Sequence, residues 1–314
     1  MNFFRLGILL GILVGWGMGP AAWAGSERIP VFTSIFPVAD MVREVGQERV
    51  RVQAILPPGA SPHTFEPTPQ QMVELSKARL FIKIGAGLEF WAEKLLRAGT
   101  SGGLAMLDLS QGMPLLREVH GHSHRPHEKR EVPSPRESVP EKAEGADPHY
   151  WLDPLLAQKM VERIADRLGA LDPAGQKIYL ANASRFNREL ETLHREILEK
   201  VRSFKVREYV TFHPAWNYFS NRYGLKVVGV IMEAPGREPS PRDIARMVKE
   251  LKTFKTRIVF AEPQFHPKIV QAIAKEAQAQ VLFLDPLGDP ENPEKNGYLR
   301  LMRYNLTQME KAMR

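Results

Sequence analysis

The chain carries an apolar stripe longer than a small domain can use. Phe186, Leu190, Leu193, Ile197, Val201 and Phe204 recur at intervals of three and four residues, the spacing that lines up one face of an α-helix. Asp172 and Pro173 stand before it as a helix cap and a first-turn proline. At 1.5 Å per residue the helix they open is about 45 Å long. A rod of that length is expected to tie two bodies together, and residues 169–205 are assigned to it.

The flanking patterns agree. Before the rod, β-branched runs at 29–35, 50–56, 80–84 and 104–109 alternate with helical stretches near 38–45, after Pro67, near 90–98 and around 155–168. After it, strands at 209–212, 226–231, 257–261 and 281–284 alternate with helices at 215–223, 241–254, 267–278 and from 298. Such alternation predicts α/β architecture with mainly parallel sheets. The fold expected is two α/β lobes, residues 25–168 and 206–314, joined by one long backbone helix. Residues 117–146 break the pattern. They are rich in charge and proline, hold His120, His122, His124 and His127, and are expected to form a mobile loop because they contain too little apolar surface to order themselves.

Residues 1–24 combine a basic start, a charge-free apolar run and a closing Ala22-Trp23-Ala24, the three parts of a secretory signal peptide. Export to a periplasm is expected. An uncleaved anchor is the rival reading, which glycines and Pro20 disfavour. The 314 residues include no cysteine. That removes a lipid anchor, disulfides and thiolate ligands together, so a metal site must use nitrogen and oxygen. The formal charge of +7 is dispersed among Glu-bearing helices without aromatic interleaving, which argues against nucleic acid as a partner.

Three of the nine histidines fall in loops after strands or between elements: His63 in Ser-Pro-His63-Thr-Phe-Glu, His149 in Asp-Pro-His149-Tyr-Trp, and His213 in Thr-Phe-His213-Pro-Ala. Asp285 occupies the same kind of position after the last strand. Ligands of α/β sheets gather at the carboxyl ends of strands, so two groups from each lobe can meet in a cleft. Three imidazoles and a carboxylate suit tetrahedral zinc. Loop histidines also serve as hydrogen-bonding or capping residues, and these spacings match no local zinc motif.

The segments Gly-Ala-Ser-Pro-His63-Thr-Phe-Glu-Pro-Thr-Pro, Asp-Pro-His149-Tyr-Trp-Leu-Asp-Pro, Phe-His213-Pro-Ala-Trp-Asn-Tyr-Phe, Ala-Glu262-Pro-Gln-Phe and Leu-Asp285-Pro-Leu-Gly resemble those of the metal-specific substrate-binding proteins of ABC importers, in most detail the periplasmic zinc-uptake receptors. The resemblance spans the mature chain in order. It implies that His63, His149 and His213 are metal ligands and that Asp285 or a water takes the fourth position. It also implies Zn²⁺ as the transported ligand, and as partners a membrane permease with its cytoplasmic ATPase. The receptor is expected to be monomeric and to catalyse no reaction. Manganese receptors of this kind place a Glu where this chain has His213, and a third imidazole favours zinc.

The resemblance places a histidine-rich loop where His120, His122, His124 and His127 lie, as auxiliary ligands or as a solvated linker. Glu262, Glu233 and Glu66 are candidates to orient an imidazole, Glu262 with a motif behind it. His194 is expected on the helix surface, and His266 beside a helix start. Two rivals stay open: a manganese or iron receptor of the same family, and a zinc hydrolase, for which no His-Glu-x-x-His motif is present.

Overall fold

The computed structural model describes residues 28–92, 103–117, 145–232 and 239–314. The proposed signal peptide, most of the 117–146 loop with its four histidines, Glu233 and the second half of the helix expected near 90–98 lie outside the described residues.

The first lobe is built from β1 (Ile29–Thr33), α1 (Phe36–Gly46), β2 (Val50–Ala54), α2 (Pro69–Ser76), β3 (Leu80–Lys83) and β4 (Ala105–Asp108). Its strands are all parallel in the order β2-β1-β3-β4. The chain then forms α3 (Pro154–Leu171) and α4 (Gln176–Arg202), which fold back on each other through a single 3₁₀ turn, Pro173–Gly175. The second lobe contains β5 (Glu208–Thr211), α5 (Asn217–Tyr223), β6 (Lys226–Val230), α6 (Pro241–Thr253), β7 (Ile258–Ala261), α7 (Pro267–Ala277), β8 (Gln280–Phe283) and α8 (Tyr298–Met313). Its sheet repeats the first, parallel throughout and ordered β6-β5-β7-β8. In each sheet the chain reverses its winding direction between the two central strands, and the crevice at their carboxyl ends is where such sheets place ligands.

Local chemistry sets the element ends. Thr68 and Gln71 form a reciprocal capping box on α2, as Ser240 and Asp243 do on α6. Asp153 caps α3 by accepting from the Leu155 amide at 2.9 Å. Asp172 caps the turn between α3 and α4 rather than opening the long helix directly. The same carboxylate accepts from Arg49 Nη2 at 2.6 Å and from Tyr179 Oη at 2.7 Å, which fastens the rod to the start of β2. Although partial burial opposes ionisation, the Tyr179 and Arg49 hydrogen bonds hold Asp172 below the usual carboxylate range.

Helix α4 buries Tyr179, Ala183, Phe186, Leu190, Leu193, Ile197 and Val201 against α1, α3 and α8. One apolar cluster therefore runs from Val31 and Val38 of the first lobe, through Leu168 and Leu193, to Tyr209 and Phe260 of the second and Met309 of α8. Polar ties cross the same seam. Trp151 Nε1 donates to the Pro286 carbonyl at 2.8 Å, Tyr298 Oη to the Trp151 carbonyl at 2.6 Å, and the Tyr298 amide to Asp40 at 2.7 Å. Helix α8 thus returns from the second lobe to bridge both.

Leu193 is fully buried at the middle of this cluster. Leu193→Ala is expected to lower the unfolding free energy by about 2–5 kcal/mol, measured by urea titration, in one cooperative transition because the core is continuous. Two separate transitions in the unaltered protein would show that the lobes do not share it.

Candidate metal centre

Each histidine lies in a different connecting segment beside a proline. His63 lies between the carboxyl end of β2 and the capped start of α2, with its amide donating to Ser61 Oγ at 3.3 Å. His149 opens the 3₁₀ turn His149–Leu152, three residues after an antiparallel bridge between Arg117 and Ala146. His213 stands two residues beyond β5, where the Thr211 hydroxyl donates to its carbonyl at 2.8 Å. Prolines at 62, 148 and 214 restrict the backbone beside all three.

The three rings meet. Centroid separations are 5.2 Å for His63–His149, 4.7 Å for His63–His213 and 4.8 Å for His149–His213. One nitrogen from each lies within 4.8 Å of the others, and this is the only such ligand cluster among the described residues. His149 and His213 are 3% and 2% exposed. Two of the rings come from the first lobe and one from the second.

Carboxylates stand behind two of the rings. Asp147 Oδ1 accepts from His149 Nδ1 at 2.7 Å and from the His149 amide at 2.9 Å. Asp147 Oδ2 accepts from Asn217 Nδ2 at 3.0 Å, and Tyr218 Oη donates to the Asp147 carbonyl at 2.8 Å. Glu262, just past β7 and almost fully buried, accepts from His213 Nδ1 at 3.2 Å. These contacts put the proton on Nδ1 of each ring and leave Nε2 as the donor to a metal. His63 Nε2 lies 3.1 Å from His149 Nε2. With His149 accepting through that atom, His63 supplies the Nε2–H.

Burial and the two neighbouring imidazoles push the His63 pKa down to about 2, so the ring is neutral and available as a ligand. For Asp147, burial opposes ionisation, but hydrogen bonds from His149 and Asn217 outweigh it and hold the carboxyl below its ordinary range.

Asp285, expected at the fourth position, is not brought into this cluster. Its Oδ1 accepts from the Leu287 and Gly288 amides at 3.0 and 2.9 Å, and its Oδ2 from Lys295 Nζ at 2.7 Å. Gly288 makes that turn at φ +74°, and a Cβ there would press on the Lys295 carbonyl. Glu262, by contrast, lines the chamber between the histidines. Glu66 is exposed. His194 is not a plain surface residue, because its Nδ1 lies 3.1 Å from Tyr223 Oη in a part-buried contact. His266 sits at the N-cap of α7 without a side-chain cap. Sequence reasoning missed the orienting role of Asp147, although an acid two residues before a loop histidine was a usable signal. It also missed Asn217, Tyr218 and Lys295, whose contacts span 10 to 71 residues of chain.

Two α/β lobes on a shared helix, with a three-imidazole cluster at their junction, define a helix-linked metal receptor. The profile of the family described as "Zinc-uptake complex component A periplasmic" matches residues 31–312, and the chain belongs to that family. The chain is 26% identical over 290 residues to the high-affinity zinc uptake system protein ZnuA of Bacillus subtilis, covering 91% of this chain and 88% of the relative. It is 29% identical over 281 residues to ZnuA of Yersinia pestis, covering 87% of each. Among solved structures, a ZnuA crystal structure superposes with TM-score 0.73 at 30% identity over 91% of this chain and 99% of that one. A zinc-bound ZnuA deletion mutant gives 0.72 at 30% identity over 91% and 98%. The family is one of substrate-binding transport proteins rather than enzymes, its ligand is zinc, and its location is extracytoplasmic.

Removing either supporting carboxylate leaves an imidazole free to rotate or change tautomer. Asp147→Ala and Glu262→Ala are each expected to weaken zinc binding about 10–100-fold, read by competition with a chromophoric chelator. Acid should also destabilise the metal-free protein. An unfolded histidine takes up its proton near 6.5, whereas folded His63 does so only near 2, so the unfolded state binds more protons below pH 6.5 and stability falls with pH. Asp147, depressed in the fold, adds to the loss below its unfolded value of about 3.9. Urea midpoints that stay level from pH 7 to pH 4 would contradict this.

Proposed function

We propose that the chain is an exported receptor that captures Zn²⁺ between its lobes with His63, His149 and His213, and hands it to an ABC-type importer made of a membrane permease and a cytoplasmic ATPase. The observation that carries this reading is the convergence of three imidazole nitrogens from both lobes, two of them locked by buried carboxylates. Imidazole is a borderline ligand that suits zinc, whereas manganese prefers oxygen. The neutral state of His63 means that this ring need lose no proton when the ion arrives near pH 7.

The shared core supports a receptor that closes by small adjustments around the ion. Bending α4 would break backbone hydrogen bonds and open the apolar cluster, so wide hinge motion is disfavoured. Residues 1–24, read as a cleaved signal peptide, place the mature receptor in the periplasm, where it acts as a monomer. The lobes are taken as residues 25–168 and 206–314 with 169–205 between them. His120, His122, His124 and His127 would add weak auxiliary imidazoles.

His213 is the second lobe's contribution to the cluster. His213→Ala is expected to lower zinc affinity by on the order of a hundred-fold or more by calorimetry, and unchanged affinity would remove the basis for this site. Zinc should also predominate in elemental analysis after the metal-free protein is loaded from an equimolar mixture of zinc, manganese and iron. Preferential manganese or iron loading would assign the receptor to another ion.

A further inference from the structure

The three histidines line a small chamber at the junction of the lobes. Apart from the imidazoles, the wall is Pro62, Trp151, Pro286 and Leu287, with two oxygen-bearing side chains, Glu262 and Gln264. Glu262 is engaged with His213. Gln264 Oε1 is fully shielded from water and has no hydrogen-bond partner. A buried carbonyl oxygen without a donor is costly, and it needs a positive partner. The turn carrying it is fixed: the Phe265 amide donates to the Glu262 carbonyl at 3.0 Å, and the Phe265 ring packs on Phe212.

Two further observations point the same way. Asp285 already spends both oxygens on Lys295 and two amides, and withdrawing it would leave a part-buried ammonium unpaired. Asp147 and Glu262 already stand behind two of the imidazoles that line the chamber.

Resting on the zinc-receptor reading above, we propose that Gln264 supplies the fourth zinc ligand through its neutral amide oxygen, and that Asp285 is a structural residue. A neutral oxygen completes the shell less tightly than a carboxylate, which suits a receptor that must release its ion.

Zinc affinity by chelator competition and the visible spectrum of the Co²⁺-loaded protein test this in Gln264→Leu, Gln264→Glu and Asp285→Asn. Gln264→Leu is expected to weaken zinc about ten-fold and shift the Co²⁺ bands. Gln264→Glu should restore or tighten binding, which a merely structural role would not produce. Asp285→Asn is expected to lower the melting temperature while leaving the Co²⁺ bands of the folded protein in place. Unchanged affinity and bands in Gln264→Leu, or altered bands in Asp285→Asn, overturn the proposal. If His213→Ala loses zinc while Gln264→Leu does not, only the fourth-ligand assignment falls. If neither does, the three-histidine site falls with it.

Discussion

The candidate metal centre depends on the continuity of the core along α4. His63 and His149 belong to one lobe and His213 to the other, so their spacing is only as fixed as the lobes are to each other. The apolar cluster from β1 through Leu193 to α8, tied by Trp151 and Tyr298, makes the two lobes one packed body. Trp151 is notable here because it lines the metal chamber and also donates to the second lobe. Ligand geometry and lobe packing are therefore parts of the same constraint.

Within that frame the three imidazoles are unequal. His149 and His213 are buried and hold fixed tautomers through Asp147 and Glu262. His63 is part-buried, comes from a loop, and bonds to its neighbour's ring nitrogen instead. Two rings are preorganised, and on the proposed reading the third would turn its proton from Nε2 to Nδ1 as an ion enters. Capture would then exchange one imidazole–imidazole bond for metal coordination.

Much of this was legible in the residues. The i, i+3, i+4 stripe from Phe186 to Val201 identified α4, and alternating β-branched runs placed every strand to within a residue or two, because burial of one face is a local pattern. The loop histidines were legible because strand ends in α/β sheets face the ligand crevice. What sequence could not reveal was the partner of each polar group. Asp285 had the right position after the last strand, but Lys295, ten residues on, holds its carboxylate. Asp172 looked like the cap of the long helix, yet it closes the turn from α3 and pairs with Arg49, 123 residues away. Helix α8 looked like part of the second lobe, and its return across the seam is tied by Asp40 and the Trp151 carbonyl, which no local pattern marks.

The central claim is that three imidazoles from two lobes converge on one ion. Zinc K-edge X-ray absorption on the protein loaded with one equivalent measures this directly. The account predicts the multiple-scattering signature of three imidazoles with a single oxygen completing a four-coordinate shell at about 2.0–2.2 Å. A shell of oxygens with two or fewer imidazoles would contradict it.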